Sequence, residues 1–248
     1  MTPSGNTALI TGGATGIGFA LAKRLIETGN TVIICGRNQA KLEAACTGLP
    51  QLTALRADVT NGTDREALLA HITQRFPQFN VLVNNAGIIH VSDLTDPAHI
   101  QELESEIATN LLAPVALTTL LLPILRAQPS ATIVNITTGY VFLPSARAAT
   151  YSATKTALHV LTRALRFQLR STNVRVVEVM PPAVDTAMAL SGSGPKLSPD
   201  AVANTIHRGL TRGDREIVIG LSRVGRLLGR AAPELGFALM NRRVGVPG

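Results

Sequence analysis

Aromatic residues and charges are scarce in this chain, and both shortages narrow the functions that it can serve. Only 3% of the 248 residues are aromatic and none is tryptophan, so few rings are present on which nucleic-acid bases could stack. Charged residues make up 16% and apolar residues 46%, a balance typical of a folded globular chain. The length suits one large domain with a full core.

Cysteines and long hydrophobic runs are also few. Cys35 lies in an expected strand and Cys46 in an expected helix, where packing as small apolar side chains explains them better than a disulfide or a metal site. No uninterrupted run of about 18 apolar residues is present, which argues against a spanning helix. The first residues lack the basic-then-apolar pattern of a signal peptide, and we therefore expect a cytoplasmic protein.

Positive charge is in excess, with a formal net charge of +7, but it is unevenly distributed. Residues 220–248 hold five arginines and one acid, so this tail carries +4 of the total. A general polyanion binder is therefore disfavoured, and we expect no nucleic-acid partner. Arg223, Arg226 and Arg230 share one face of an expected helix that breaks at Pro233. Packing of this helix on the domain or on a neighbouring subunit is favoured, and weak membrane association is the alternative.

Short β-branched runs alternate with longer amphipathic segments over residues 1–219. The expected strands are Thr7–Ile10, Thr31–Ile34, Leu52–Arg56, Val81–Val83, Thr132–Ile136, Arg175–Val179 and Glu216–Ile219. The expected helices are Gly18–Glu27, Gln39–Ala45, Asp64–Phe76, Ala149–Arg170 and Pro199–Gly209. Pro114 and Pro123 interrupt a longer helical stretch from Pro97 to Arg126, which predicts two helices or one kinked helix. This alternation predicts an α/β, single-domain Rossmann fold: a doubly wound, seven-stranded parallel sheet with helices on both faces.

A connection rich in serine, glycine and proline, Ala189–Pro199, follows the sixth expected strand. In open α/β sheets, ligands bind beyond the carboxyl ends of the strands. We therefore interpret this connection as a mobile substrate lid, with a plain surface connection as the alternative.

A glycine-rich turn joins the first strand to the first helix. Gly12, Gly16 and Gly18 leave room for a tight turn and for a pyrophosphate to approach the backbone. The start of the helix offers unpaired amides and the positive end of its dipole. A glycine motif is weak evidence alone, but its position in the first βαβ unit favours a dinucleotide site.

The end of the second strand bears on the choice of cofactor. Gly36 and Arg37 stand where a protein that prefers NAD usually has an acid for the ribose 2′-hydroxyl. With no carboxylate there to repel a 2′-phosphate and a guanidinium placed to bind one, the sequence favours NADP(H). Arg37 as a solvated residue at a helix start is the alternative. Asp58, before Val59, either accepts a hydrogen bond from the adenine amino group or caps the next helix.

Tyr151 and Lys155 lie four residues apart in an expected helix, so both side chains project from one face. A phenol ordinarily titrates near pH 10. A cation beside it favours the phenolate and lowers that pKa, which makes the group a usable proton donor or acceptor near neutral pH.

With these motifs in order, the chain resembles the short-chain dehydrogenase/reductase family over roughly residues 6–219. The motifs are Thr11-Gly-Gly-Ala-Thr-Gly-Ile-Gly18, Asn84-Asn-Ala-Gly87, Asn110, Ile136-Thr-Thr138, Tyr151-x-x-x-Lys155 and Pro181-Pro-Ala-Val-Asp-Thr186. Their combination and order are highly specific.

The resemblance implies a catalytic set of four residues. Tyr151 would give or take the proton on the substrate oxygen, Thr138 would hydrogen-bond that oxygen, and Lys155 would lower the tyrosine pKa. Asn110 would hold a water that passes protons towards Lys155. The implied cofactor site consists of Gly12, Thr15, Gly16, Ile17, Gly18, Arg37, Asp58, Val59, Asn85, Ala86, Gly87, Tyr151, Lys155, Val184 and Thr186.

Two positions depart from the family pattern. Thr138 stands where serine is usual; it keeps the hydroxyl, while its methyl group stiffens χ1 and takes up room beside the substrate. We expect a working hydroxyl, with a slower enzyme or one suited to a smaller carbonyl as alternatives. Pro182 stands where glycine is usual, which removes an amide and stiffens the loop that carries Val184 and Thr186.

The sequence therefore predicts an NADP(H)-dependent oxidoreductase that transfers hydride between the nicotinamide and a carbonyl or alcohol. Apolar residues flank the expected pocket, so we expect a neutral, moderately apolar substrate, with His90 and Arg147 at the surface. The alternative is a dinucleotide-binding redox sensor or scaffold with little turnover. The resemblance further implies a homodimer or homotetramer built on the helices that contain Leu111–Leu125 and Leu158–Leu169.

Overall fold

The computed structural model describes residues 1–91, 93–190 and 195–242, and seven β-strands lie within them. These are β1 (Thr7–Thr11), β2 (Thr31–Gly36), β3 (Thr53–Arg56), β4 (Phe79–Asn84), β5 (Ala131–Ile136), β6 (Val174–Met180) and β7 (Glu216–Val218). Every boundary falls within two residues of the predicted one. Of the expected lid, residues 191–194 lie outside the described residues.

The seven strands form one parallel sheet in the order β3-β2-β1-β4-β5-β6-β7. The chain winds outwards from β1 in one direction and from β4 in the other. The gap beyond the carboxyl ends of these two strands is where such sheets bind ligands. The predicted doubly wound α/β fold is confirmed.

Helices cover both faces of the sheet. They are α1 (Gly16–Glu27), α2 (Gln39–Gly48), α3 (Gly62–Arg75), α4 (Ile100–Ile107), α5 (Ala113–Ala127), α6 (Ala149–Gln168), α7 (Pro199–Arg212), α8 (Ser222–Ala231) and α9 (Pro233–Asn241). On one face Leu21 of α1 and Ile206 of α7 share a buried cluster with the strands. On the other, Ile72 of α3 and Leu121 of α5 do the same. Two apolar layers explain why the strands are apolar on both sides.

The long helical stretch contains a π turn. α4 and α5 are joined by Ala108–Leu112, where the backbone hydrogen bonds widen from four residues to five. Pro114 lies in the first turn of α5 and has no N–H to offer the carbonyl of Asn110, which favours the wider turn. Pro123 lies inside α5. The predicted interruption is therefore a local widening, and the helical path is not broken.

The same stretch, Pro97–Ala127, is the one helical run in the described part of the chain that is long and apolar enough to cross a membrane by length and composition. Here it serves the core, because Leu117, Leu121 and Leu125 of α5 are buried against the sheet.

A series of buried side-chain hydrogen bonds links α5 to α6 through the sheet. Asn84 Nδ2 donates to Thr118 Oγ1 at 3.0 Å and to Asn135 Oδ1 at 2.8 Å. Asn135 Nδ2 in turn donates to Thr162 Oγ1 at 2.8 Å. Two strands and two helices are thus joined by polar contacts inside an apolar layer.

The tail packs on the loop that follows β5, through close contacts of glycines. A Cβ atom on Gly229 would overlap the backbone oxygen of Phe142, and one on Gly236 would overlap the side chain of Leu143. Asn241 closes the contact: its Oδ1 accepts from the N–H of Ala146 at 2.7 Å, and its Nδ2 donates to a neighbouring backbone oxygen at 3.1 Å.

Two arginines of α8, Arg223 and Arg226, contact the domain itself. Arg226 lies 3.0 Å from a carboxylate oxygen of Glu216, and Arg223 donates to the carbonyl of Val218 at 2.9 Å. Three apolar side chains at this helix, Leu221, Val224 and Leu227, are exposed together with Arg223 and Arg230. Arg243 lies outside the described residues.

Candidate active site

A cavity of about 1060 Å³ opens at the carboxyl edge of the sheet. Most of the predicted site residues line it: Gly12, Thr15, Gly16, Ile17, Arg37, Asp58, Val59, Asn85, Ala86, Gly87, Thr138, Tyr151, Lys155, Val184 and Thr186. Gly18 and Asn110 do not line it and are buried behind its wall. The structure therefore places the predicted cofactor-binding residues and the predicted catalytic residues Thr138, Tyr151 and Lys155 in the same cavity.

The glycine turn is shaped to receive an anion. Gly12 and Gly16 have φ values of +63° and +56°, in the left-handed region that favours glycine. A Cβ atom on Gly12 would lie 3.0 Å from the Cα of Ala86, so a larger residue would crowd the turn. Thr15 precedes α1 without capping it through its side chain, which leaves the first amides of the helix without that acceptor. These features fit the pyrophosphate of a dinucleotide.

Gly18 has a packing role. A Cβ atom there would lie 2.5 Å from Asn85 Nδ2, which donates to the carbonyls of Thr11 (2.9 Å) and Gly12 (3.2 Å). Gly18 therefore leaves space for an amide that steadies the turn. The assignment of Gly18 to the cofactor site stays a prediction, and in this structure the residue lies behind the cavity wall.

The end of β2 presents two cations to the cavity. Arg37 has a side chain that is 62% exposed and lies 3.7 Å from a carboxylate oxygen of Asp58. Lys41, in the first turn of α2, lines the same end. The sequence analysis missed Lys41, although its position four residues after Arg37 was a usable signal.

Asp58 does not cap the following helix, which corrects one of its two expected roles. Its Oδ1 accepts from the N–H and hydroxyl of Thr60 at 2.9 and 2.7 Å, while Asn61 caps α3. Burial raises the pKa of Asp58, but the hydrogen bonds from Thr60 and the charge of Arg37 outweigh it and hold the pKa below its usual value. Asp58 is thus an ionised partner for Arg37.

At the other end of the cavity, Tyr151 lies at the start of α6 with 8% of its surface exposed. The Thr138 hydroxyl lies close enough to lower the pKa of the phenol through hydrogen bonding. Lys155 Nζ lies 5.8 Å from the centre of the phenol ring and donates to the carbonyl of Ile136 at 2.9 Å. Thr137 faces away and donates to Glu178 at 2.8 Å, as strand alternation requires.

The pKa of Tyr151 is raised, whereas the sequence analysis predicted that it would be lowered. Burial raises it above the usual 10, and the hydrogen bond from Thr138 offsets this only partly. Burial also lowers the pKa of Lys155 to about 8. Removal of both groups from water therefore dominates their pKa values, and the phenol holds its proton at neutral pH.

The side chain of Asn110 holds in place the segment after β4, which forms one wall of the cavity. Its Oδ1 accepts from the N–H of Ile88 at 2.9 Å and its Nδ2 donates to the carbonyl of Ile88 at 2.8 Å. Gly87 is needed beside it, because a Cβ atom there would lie 3.1 Å from Asn110 Oδ1 and 3.4 Å from Lys155 Nζ. The side chain of Asn110 is thus committed to the backbone after β4.

The substrate end is enclosed by residues from distant parts of the chain. Tyr140 packs edge-on against Tyr151, with ring centres 6.2 Å apart. His90 and Arg147, expected at the surface, are half-buried and line the cavity. Leu239, Met240 and Arg242 of the tail line it as well. Composition revealed the helical tail, but no sequence signal indicated that it forms part of this wall.

The loop after β6 follows a defined path despite Pro182. Val184 pairs with Leu197 in an isolated parallel bridge, and Asp185 N donates to the carbonyl of Leu197 at 2.9 Å. Thr186 packs against the glycine turn, since a Cβ atom on Gly16 would lie 3.0 Å from its methyl group. Both predicted loop contacts therefore face the cavity.

A doubly wound parallel sheet, with a glycine turn at its switch point and a threonine, tyrosine and lysine beside it, defines a dinucleotide-binding α/β protein. Residues 6–193 match the family model for short chain dehydrogenase. The chain therefore belongs to the short-chain dehydrogenase/reductase family, whose members are oxidoreductases that bind a nicotinamide dinucleotide.

Relatives and solved structures agree with this membership. The chain is 47% identical over 189 residues to the uncharacterized oxidoreductase DltE of Bacillus subtilis (strain 168), covering 76% of this chain and 75% of that protein. It is 32% identical over 210 residues to an uncharacterized oxidoreductase of Staphylococcus aureus (strain MW2), covering 83% and 90%.

Two solved structures confirm the fold. A short chain dehydrogenase from Burkholderia cenocepacia J2315, in complex with NADP, matches with a TM-score of 0.87 at 22% identity, over 97% of this chain and 99% of that one. A short chain dehydrogenase/reductase from Burkholderia phymatum, in complex with NAD, matches with a TM-score of 0.86 at 20% identity, over 100% and 99%.

Proposed function

We propose that this chain is an NADP(H)-dependent oxidoreductase that interconverts a carbonyl compound and its alcohol. One observation carries the proposal. Thr138, Tyr151 and Lys155 line the same cavity as the glycine turn, with Lys155 Nζ beside the phenol ring. When bound, the nicotinamide supplies or accepts the hydride.

Arg37 and Lys41 support the choice of NADP(H). Both lie at the end of the cavity where the ribose 2′ position of a dinucleotide would be held, and Asp58 already pairs with Arg37. A guanidinium can hydrogen-bond a phosphate through two donors, and the ammonium of Lys41 adds a second charge. Asp58 would remain on the opposite side of Arg37 and orient it.

The reacting oxygen would be held by two hydroxyl groups. Thr138 would position the carbonyl oxygen, and Tyr151 would donate its proton to that oxygen as negative charge develops there. Because burial raises the pKa of Tyr151, the phenol is protonated at neutral pH and can serve as this donor. Lys155, still largely charged at pH 7, would stabilise the phenolate that forms and hold the nicotinamide ribose.

We propose that the backbone carbonyl of Asn110, and not its side chain, holds the proton-relay water. Its side chain is hydrogen-bonded to both backbone groups of Ile88 and to Thr154 Oγ1, whereas Pro114 removes the N–H that would normally take up this carbonyl. The π turn around Asn110 supports the same role, since such turns recur at functional sites.

The substrate we propose is a neutral, moderately apolar carbonyl compound. Apolar side chains from the loop after β4, the loop after β6 and the tail form most of the chamber around Tyr151. Arg147 and Arg242 also line it, so a screen should pair each neutral carbonyl with its carboxylate analogue. Preference for the carboxylates would replace the neutral class with an anionic one.

We further propose a cytoplasmic homodimer or homotetramer. Exposed apolar side chains on the helical surfaces of the π turn, α5 and α6 support it: Leu112, Val115, Val160, Leu161 and Phe167. Such a concentration is unusual on the surface of a monomer. Sedimentation of the purified protein would distinguish the monomer from either assembly.

The first test is a fluorescence titration of the wild-type protein and Arg37→Ser with NADPH and NADH. Loss of a charge-assisted phosphate contact should weaken NADPH binding by roughly tenfold or more while NADH binding changes little. Arg75→Ser, an exposed change on α3, is the control. Equal binding of both cofactors by the wild type would remove Arg37 from this role.

Turnover is tested with Tyr151→Phe. This variant should bind NADPH almost as well as the wild type and lose carbonyl reduction, because only the transferable proton is removed. A Phe variant that keeps the wild-type rate would overturn the assignment of Tyr151. Tight NADPH binding by a wild type that reduces no carbonyl would favour the redox-sensor alternative.

A further inference from the structure

Glu106, near the end of α4, is fully buried beside the reaction chamber, and no step above uses it. Its Oε1 accepts from the N–H of His90 at 2.6 Å. Its Oε2 is buried and has no hydrogen-bond partner among the described residues. Glu102 and Glu104, on the same helix, are partly or fully exposed. Burial is therefore particular to this position.

Glu106 and Asn110 hold consecutive parts of one wall. They lie one helical turn apart and reach the segment after β4 from the same side. Asn110 is bonded to both backbone groups of Ile88, and Glu106 takes up the amide of His90 two residues further on. Residues 88–90 line the cavity. The position of this wall thus depends on two side chains.

The surroundings of Glu106 determine whether its carboxyl group is ionised or protonated. Burial raises its pKa, with a smaller raise from Glu102, while the amide hydrogen bond and charge of His90 lower it. The negative charge of an ionised Glu106 also raises the pKa of the Tyr151 phenol. A protonated carboxyl can still accept from His90 at Oε1 and leaves no uncompensated charge at Oε2.

We propose that Glu106 is a positioning residue that acts as an un-ionised carboxylic acid, fixing the wall at residues 88–90 against the substrate without placing a charge beside Tyr151. The role rests on the proposed reductase function. It predicts that the position of this wall depends on the carbonyl acceptor of Glu106 and does not depend on a negative charge there.

Three variants separate these possibilities. Glu106→Leu removes the acceptor at similar volume, Glu106→Gln keeps a neutral acceptor, and Glu104→Gln is an exposed control on the same helix. Each is assayed for NADPH binding by fluorescence, for kcat and KM with 4-nitrobenzaldehyde over a range of pH, and for hydrogen exchange of the peptide that covers residues 88–90.

Glu106→Leu should raise the KM for the aldehyde by roughly five- to tenfold, the effect of one lost hydrogen bond, with NADPH binding unchanged. Exchange in the peptide should accelerate. Glu106→Gln should restore most of both losses and keep the wild-type pH profile. A general loss of stability would instead weaken NADPH binding and lower kcat without this selective change in KM.

Two results would overturn the proposal. An unchanged KM and exchange rate in Glu106→Leu would show that the wall does not depend on Glu106. Equal impairment of Glu106→Gln and Glu106→Leu would show that the carboxylate charge is what matters. Hydrogen exchange requires no turnover, so it decides the role of the wall even if the wild-type protein fails to reduce the aldehyde.

Discussion

Lys155→Met should make the cofactor-free protein more stable at neutral pH while abolishing its activity. Lys155 is 4% exposed, and burial lowers its pKa to about 8 from 10.5. Below pH 8 both native and unfolded chains carry the proton, so the cost of burying the charge is present in full. As the pH rises from 8 to 10.5, the native chain releases the proton first and the cost disappears.

The magnitude follows from the difference between these two pKa values. It corresponds to about 3 kcal/mol of stability that is missing at pH 7. Methionine removes this cost but also the hydrogen bond to the carbonyl of Ile136, which is worth about 1 kcal/mol. The variant should therefore gain about 2 kcal/mol at pH 7, or about 5 °C in Tm for a chain of this size.

The assay is denaturation of the wild type, Lys155→Met and the exposed control Lys23→Met at pH 7 and pH 10, without cofactor. Between the two pH values the wild type should gain about 2 to 3 kcal/mol relative to Lys155→Met. The control should follow the wild type. A Met variant that is less stable at pH 7, with the same pH dependence as the wild type, would refute the reasoning.

Four further substitutions test the packing described above. Gly229→Ala should destabilise the protein by about 1–3 kcal/mol, because the added Cβ would overlap a backbone oxygen. Gly225→Ala is the control: its Cβ would make only an ordinary contact, so this substitution should be neutral or stabilise by up to about 1 kcal/mol. Chemical denaturation measures both. Asn241→Ala removes two hydrogen bonds between α9 and the loop before α6, so hydrogen exchange in α9 should accelerate without a change in global stability. Glu178→Leu leaves the buried side of His159 without its acceptor and should cost about 3 kcal/mol or more, and an equal stability of the two proteins would contradict this account.

The sheet could be predicted from sequence because each strand is apolar on both faces and each crossover carries helical periodicity. The proposed catalytic group could be predicted equally well, since Thr138 follows a strand end and Tyr151 and Lys155 share a helical face. Such local patterns are governed by backbone geometry, which depends little on the rest of the fold.

The burial of individual side chains could not be predicted from those local patterns. Lys155 indicated a lowered pKa for Tyr151, but removal of the phenol from water raises it, and no local pattern reports how deep a side chain lies. Glu106 is an ordinary helical acid in sequence, identical in type to its exposed neighbour Glu104. Asp58 was assigned a possible capping role because the true cap, Asn61, lies only three residues away.

The hydrogen-bonded series through Asn84 and Asn135 limits how far the helices can slide. Apolar faces tolerate small shifts, since one methyl group can replace another at nearly the same free energy. A shift of α6 by one residue would move Thr162 by about 1.5 Å along the helix axis and break its bond to Asn135. Tyr151 lies on the same helix, so the bond from the Asn135 amide to Thr162 also fixes how far the phenol extends into the cavity.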